Sequence, residues 1–223
     1  MFIVIEGADG VGKATQAAMV AAKFNRMGRQ AEVFSFPRYK TPVGEMILRH
    51  LKGEIAIHQS LASHRVAALD TLAHLVECFE DALAFQCMMI ADKYAGALDI
   101  NRALKQGVVA VADRWWPSAY AYGRADGLDT KWLLNVHAQL PQADLYILLD
   151  LDPKVAQERR PELRDRYEKD RNKQAKVRSC YRDLWNEEKL GNEKRWIMLD
   201  SSVTKEEINV EIFSRIAALS VMT

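Results

Sequence analysis

Five short apolar runs, separated by stretches of helical spacing, organise the chain. FIVIE at 2–6 runs straight into glycines and predicts a buried strand. AEVFSF at 31–36, VVAVAD at 108–113, LYILLD at 145–150 and RWIMLD at 195–200 predict four more. Helical spacing runs from about Lys13 to Met27 and stops near Gly28. Residues 41–52 read as a helix that opens on Thr41 and Pro42, a cap and first-turn pair. Between about Gln59 and Gln106 there is no proline and only Gly96 interrupts, which predicts two or three long helices. Asp152–Pro153 marks another helix start, and Thr204 with Glu207 forms a capping box. Ile208, Ile212, Ile216 and Leu219 then share one helix face.

Continuous apolar strands alternating with helices imply a parallel sheet covered on both faces. Right-handed crossovers build it into a three-layer α/β fold. No Gly-, Ser- or Pro-rich linker divides the 223 residues and no repeat is visible, so one domain spanning 1–223 is expected. A 49% hydrophobic fraction excludes a disordered chain. Lysine plus arginine is 31 against 30 acidic residues, for a net charge of +1, which argues against a nucleic-acid partner. No apolar run approaches the ~18 residues of a membrane span, and MFIVIEGADG carries no basic segment ahead of its apolar stretch, so neither a membrane partner nor a secretory signal is expected. Cys78, Cys87 and Cys180 are odd in number and match no zinc spacing, as expected of reduced thiols in a cytoplasmic protein.

The candidate chemistry begins in the first strand–helix turn. Gly7-Ala8-Asp9-Gly10-Val11-Gly12-Lys13 has two glycines flanking four residues, then lysine, the core of a phosphate-binding P-loop. Glycines let successive N–H groups converge on one anion, the helix N-terminus adds positive potential, and Lys13 supplies a point charge. The plainer alternative is a glycine-rich turn with a surface lysine; the strand–loop–helix context favours phosphate. Ala14 stands where a hydroxyl would contact magnesium, and Thr15 follows one position later. That leaves Thr15 for phosphate and the metal for the nucleotide, water and an acid elsewhere.

The third strand ends in Asp113-Arg114-Trp115, and ligands of open α/β sheets sit beyond strand carboxyl ends. Asp113 is the candidate for Mg2+ and Arg114 for a phosphate; a strand-end ion pair is the plainer reading. Trp115 and Trp116 read as packing rather than as a base platform. Ser118 and Tyr122 lie within reach of a second ligand. Farther on, Arg159, Arg160, Arg164 and Arg166 fall within eight positions. Alone they read as a solvated charged loop. Beside a P-loop they read as a mobile lid at about 158–170 that neutralises a migrating phosphoryl group. The five histidines show no ligand spacing and no hydrolase elbow is present.

Taken together, these segments resemble the thymidylate kinase family of P-loop nucleoside monophosphate kinases. FIVIEGADGVGKATQ resembles its opening, FPRY at 36–39 with Pro42 and Gly44 its monophosphate loop, and LKQGVVAVADRW its DRY-type strand end. RDRYE resembles the lid end, and RWIMLDSS with KEE the C-terminal turn. The resemblance implies a P-loop NTPase-type fold and γ-phosphate transfer from ATP to dTMP with Mg2+, usually by a homodimer. It implies donor contacts from Gly7, Gly10, Val11, Gly12, Lys13, Ala14, Thr15, Arg159 and Ser201. Acceptor contacts fall to Asp9, at the sugar hydroxyl, and to Phe36, Arg38, Tyr39, Arg114, Ser118, Tyr122 and Tyr167. The catalytic set is Lys13, Arg114, Arg160, Arg164 and Arg166. Where the family has a thymine-stacking aromatic and, four residues on, a base-reading arginine, this chain has Met89 and Lys93; Phe85, one turn earlier, is the alternative ring. A kinase for dUMP or a modified pyrimidine nucleotide is the nearest rival, and an impaired nucleotide-binding regulator, favoured by Ala14, a more distant one.

Overall fold

A computed structural model describes residues 1–55, 70–159, 170–192 and 195–220. Among them five strands form one parallel sheet in the order β2-β3-β1-β4-β5. These are β1 (Phe2–Glu6), β2 (Ala31–Ser35), β3 (Val109–Asp113), β4 (Leu145–Asp150) and β5 (Trp196–Asp200). The helices are α1 (Lys13–Arg26), α2 (Pro42–Leu51), α3 (Asp70–Lys105), α4 (Trp116–Ala125), α5 (Thr130–His137), α6 (Pro153–Arg159), α7 (Arg171–Asn192) and α8 (Lys205–Ser220). The three-layer α/β arrangement expected from the apolar runs is the one observed.

The sheet's period of two divides the core. Ile3, Ile5, Val109, Val111 and Ile147 meet Val20 and Phe24 of α1 and Ile208, Ile212 and Ile216 of α8. Phe2, Val4, Ala110, Ala112 and Tyr146 face the other way, onto Ile100 of α3, Trp115, and Tyr120 of α4. Trp115 is wholly buried, with its Nε1 donating to the Pro141 carbonyl at 3.0 Å; both tryptophans therefore pack, as the sequence reading favoured. The capping box closes in both directions, Thr204 N to Glu207 Oε2 at 2.9 Å and Glu207 N to Thr204 Oγ1 at 3.2 Å. Asp152 Oδ1 accepts from Lys154 N at 2.9 Å at the start of α6.

Only part of the long helical region can be compared with its expected two or three helices, since 59–69 lie outside the described residues. From Asp70 to Lys105 it is a single helix that runs through Gly96 without a break. Gly96 is there for packing: a Cβ at this position would lie 2.4 Å from Phe36 Cε1. Phe36 seats its ring on α3 and tilts against Trp115 at a centroid distance of 4.8 Å. Gly44 has a similar reason, since its Cβ would fall 1.9 Å from the Arg38 carbonyl oxygen. The loop after β2 is thus pressed onto the first turn of α2, which Thr41 caps by accepting from Gly44 N at 3.1 Å.

Candidate functional site

β1 delivers the chain into a loop whose backbone only glycine adopts readily: φ is +141° at Gly7, +78° at Gly10 and +96° at Gly12. A side chain on Gly7 would strike the Leu149 carbonyl at 2.4 Å, so the loop lies tight against the end of β4. Gly12 occupies the N-cap of α1 with no side-chain hydrogen bond, and no acidic residue stands in the first turn. The N–H groups that a capping side chain would normally take are left for an anion. Ala14 and Thr15 sit exposed on this turn. Lys13 folds back, its Nζ donating to the Ala8 carbonyl at 2.5 Å. Burial, reinforced by the nearby Arg114 charge, brings its ammonium down to about 8.

Asp9 is the hub of the site. Arg114 Nη2 donates to its Oδ1. Tyr122 Oη donates to Oδ2 at 2.6 Å, and Gln174 Nε2 to the same oxygen at 2.8 Å. Gln174 Oε1 also accepts from the Asp9 backbone N–H at 3.1 Å. Burial alone would raise this carboxyl, but the Arg114 and Lys13 charges and these hydrogen bonds outweigh it and hold Asp9 at about 2. Arg114 itself has φ +69°, the one positive φ among described non-glycine residues, and its guanidinium lies 5.5 Å from the Tyr122 ring centroid. Strain of this kind survives where surroundings dictate the conformation; here the chain must turn sharply out of β3 to aim Arg114 at the P-loop.

A second buried carboxylate braces this frame from below. Glu6 accepts from Trp115 N at 2.6 Å, Ser118 Oγ at 2.6 Å and Tyr181 Oη at 2.8 Å. Burial pushes its carboxyl up despite those three donors. It ties the start of α4 and the middle of α7 to the end of β1. The Ser118 hydroxyl is therefore committed inside the protein, although the residue borders the cleft.

Beside the hub opens a cleft. Asp9, Arg114 and Tyr122 line it, and Phe85, Gln86 and Met89 of α3 contribute a further wall. Pro37 and Tyr39 from the loop after β2 and Leu51 from α2 complete it. Phe85 is buried and stacks on His50 at 4.7 Å. Three sequence candidates fall elsewhere. Phe36 is 4% exposed and belongs to the core under Trp115. Arg38 is drawn to α3, with Nε on Asp92 at 2.9 Å and Nη1 on Asp99 at 3.2 Å. Lys93 is buried, Nζ 3.4 Å from the Met89 carbonyl, and burial lowers it to about 8. None of the three lines the cleft. Conversely Leu51, Gln86 and Gln174 enter the site unannounced, and Pro37 enters from the FPRY segment without having been singled out; of the first three only Gln86, one turn from Met89 on an apolar helix, carried a local signal, a lone amide among core residues.

On the donor side, Arg159 at the end of α6 reaches the turn after β5. It donates from Nη1 to the Ser201 carbonyl at 2.5 Å and from Nη2 to that of Ser202 at 2.7 Å. Ser201 Oγ donates to the Val11 carbonyl at 2.6 Å, so this turn is locked onto the P-loop. Arg160, Arg164, Arg166 and Tyr167 lie outside the described residues. At the end of β3, Asp113 Oδ1 is buried without a hydrogen-bond partner, and no cluster of three metal-ligating side chains occurs among the described residues. A carboxylate with an unpartnered oxygen beside a phosphate loop fits a magnesium ion carried mainly by a nucleotide.

Comparison with known proteins agrees with this geometry. The thymidylate kinase family model matches residues 5–212. The chain is 29% identical to the thymidylate kinase of Schizosaccharomyces pombe over 224 residues, covering 98% of this chain and 92% of that protein. It is 33% identical over 189 residues to the probable thymidylate kinase of Thermococcus onnurineus, covering 82% and 83% of the two chains. The structure of thymidylate kinase from Candida albicans superposes with a TM-score of 0.71 over 97% of this chain and 91% of its own, at 23% identity, which speaks for the fold. With its P-loop, its strand-end arginine and a family match that runs nearly end to end, this chain belongs to the thymidylate kinase family.

Proposed function

We propose that the protein transfers the γ-phosphate of ATP to dTMP, giving dTDP and ADP, by direct in-line displacement. The observation that carries this reading is the convergence of Lys13, Asp9 and Arg114 where β1 and β3 end, next to a cleft. The P-loop amides and Lys13 receive the donor phosphates, and the Arg159–Ser201 turn borders the adenine side. Arg114 grips the acceptor phosphate and Asp9 its sugar hydroxyl. Tyr39, Phe85, Met89 and Tyr122 enclose the nucleoside. Arg38, held by two carboxylates, shapes the acceptor loop instead of binding phosphate. An acceptor phosphate is already ionised at neutral pH, with a second pKa of about 6, so the chain needs no strong base. Its work is positioning and charge neutralisation. Asp113 would hold Mg2+, which on binding offsets charge on the donor oxygens. Arg160, Arg164 and Arg166, with Tyr167, are assigned to neutralising charge on the migrating phosphoryl group. Tyr94 and Leu98, 37% and 67% exposed and one turn apart on α3, suit this helix to a homodimer contact. Cys180 is buried and Cys87 exposed, both free, in keeping with a cytoplasmic setting. Among the described residues no helix is long and apolar enough to cross a membrane.

An ADP-release assay across nucleoside monophosphates tests the assignment: dTMP is expected among the best acceptors, and poor turnover of it beside rapid turnover of another nucleotide would overturn it. A second expectation concerns pH. Lys13 is charged below its value of about 8 and loses that charge as pH rises through it, whereas ATP binding requires the ammonium. ATP affinity should therefore fall by up to about tenfold per pH unit above about pH 8, with uptake of nearly one proton. Calorimetry in buffers of different ionisation enthalpy reads both quantities, and a flat affinity across that range would contradict the role given to Lys13.

A further inference from the structure

We propose that Gln86 reads the base of the acceptor nucleotide, its side-chain amide pairing with the N3–H and an adjacent carbonyl of the pyrimidine; this rests on the acceptor reading above. Gln86 is 0% exposed, and neither its Nε2 nor its Oε1 has a hydrogen-bond partner. A buried amide with both ends unsatisfied is costly to keep, unless something that visits the site completes it. The residue lines the cleft that also holds Asp9, Arg114 and Tyr122. It stands three positions before Met89 and next to Phe85, so it shares the cleft-facing side of α3 with Met89. Helix α4 holds it there: a Cβ added to Gly123 would lie 3.4 Å from Gln86 Cδ.

The alternative source of polar recognition is spent. Lys93 points its ammonium at the Met89 carbonyl and does not reach the cleft. Arg38 is paired with Asp92 and Asp99, and Ser118 Oγ is paired with Glu6. An amide presents one acceptor and one donor side by side. Thymine and uracil present an N–H beside a carbonyl on their pairing edge. Two parallel hydrogen bonds follow, with Oε1 accepting from N3–H and Nε2 donating to the carbonyl. The apolar Phe85 and Met89 beside Gln86 supply contact with the ring faces without competing for its amide.

The test compares dTMP with its N3-methyl derivative as phosphoryl acceptors, for the wild-type protein and for Gln86→Met, a swap of similar length and shape. In the wild type, N3-methylation should lower kcat/KM about 30-fold or more, the range expected when a buried polar group is left unpaired. In Gln86→Met, dTMP itself should lose about 10- to 100-fold through KM, and the ratio between the two acceptors should shrink at least tenfold. KM for ATP should stay within about twofold, since the change lies outside the donor site. A purely structural role would lower turnover of both acceptors alike; a ratio within about threefold of the wild-type ratio would overturn the proposal. Should Gln86→Met fail to fold, the wild-type protein answers alone. The Gln86 side-chain NH2 resonances should shift on dTMP binding, and unchanged resonances overturn the assignment. No turnover of dTMP by the wild type would overturn the acceptor reading together with this one; good turnover with an unchanged ratio overturns this one only.

Discussion

Lys13→Met should cut kcat for phosphoryl transfer by about 10²- to 10³-fold, or about 2.7–4 kcal/mol of transition-state stabilisation, the size seen when one preorganised donor to a developing charge is removed. The fold should persist. Lys13 is buried, and its ammonium is already disfavoured there, down to about 8, so an apolar side chain of similar length suits the slot. The main structural loss is one hydrogen bond to the Ala8 carbonyl. Steady-state kinetics together with thermal unfolding separate the two effects. Turnover within tenfold of wild type would remove the P-loop lysine from the mechanism.

Arg114→Lys is the second large effect. Charge is conserved, but the planar fork that can hold Asp9 and a phosphate at once is not. We expect kcat/KM for dTMP to fall by about 10²- to 10³-fold, with KM for ATP much less affected. Arg114→Ala extends the test to stability. Asp9, held at about 2 in the native protein, contributes stability that is complete above the ordinary carboxylate value near 3.8. That contribution is lost as pH falls toward 2. Without Arg114 the native value rises toward the unfolded one, so the acid-unfolding midpoint should move to higher pH. An unmoved midpoint would mean that Tyr122 and Gln174 suffice to hold the carboxylate.

Some of the site was legible in the sequence because its chemistry is local. Gly7, Gly10 and Gly12 fall within six positions, and their spacing alone implies a loop of convergent N–H groups. Asp113 and Arg114 follow directly from a strand's end. The fates of Phe36, Arg38 and Lys93 were not legible, because each depends on a neighbour distant in the chain. Phe36 is taken into the core by the space at Gly96, and Arg38 by Asp92 and Asp99, more than fifty positions away. Lys93 is turned inward by the rotation of α3. Gln174, 165 residues from Asp9, enters only because α7 crosses the P-loop.

The chain by itself determined its alternating architecture, its phosphate loop and the strand-end arginine, since apolar period, glycine spacing and caps are set by neighbouring residues. Only the tertiary structure decided which polar side chains face the cleft and which are consumed inside the protein. That choice rests on which helix faces meet, and on a constraint no short segment can satisfy alone: a buried charge is costly unless other parts of the chain pair with it.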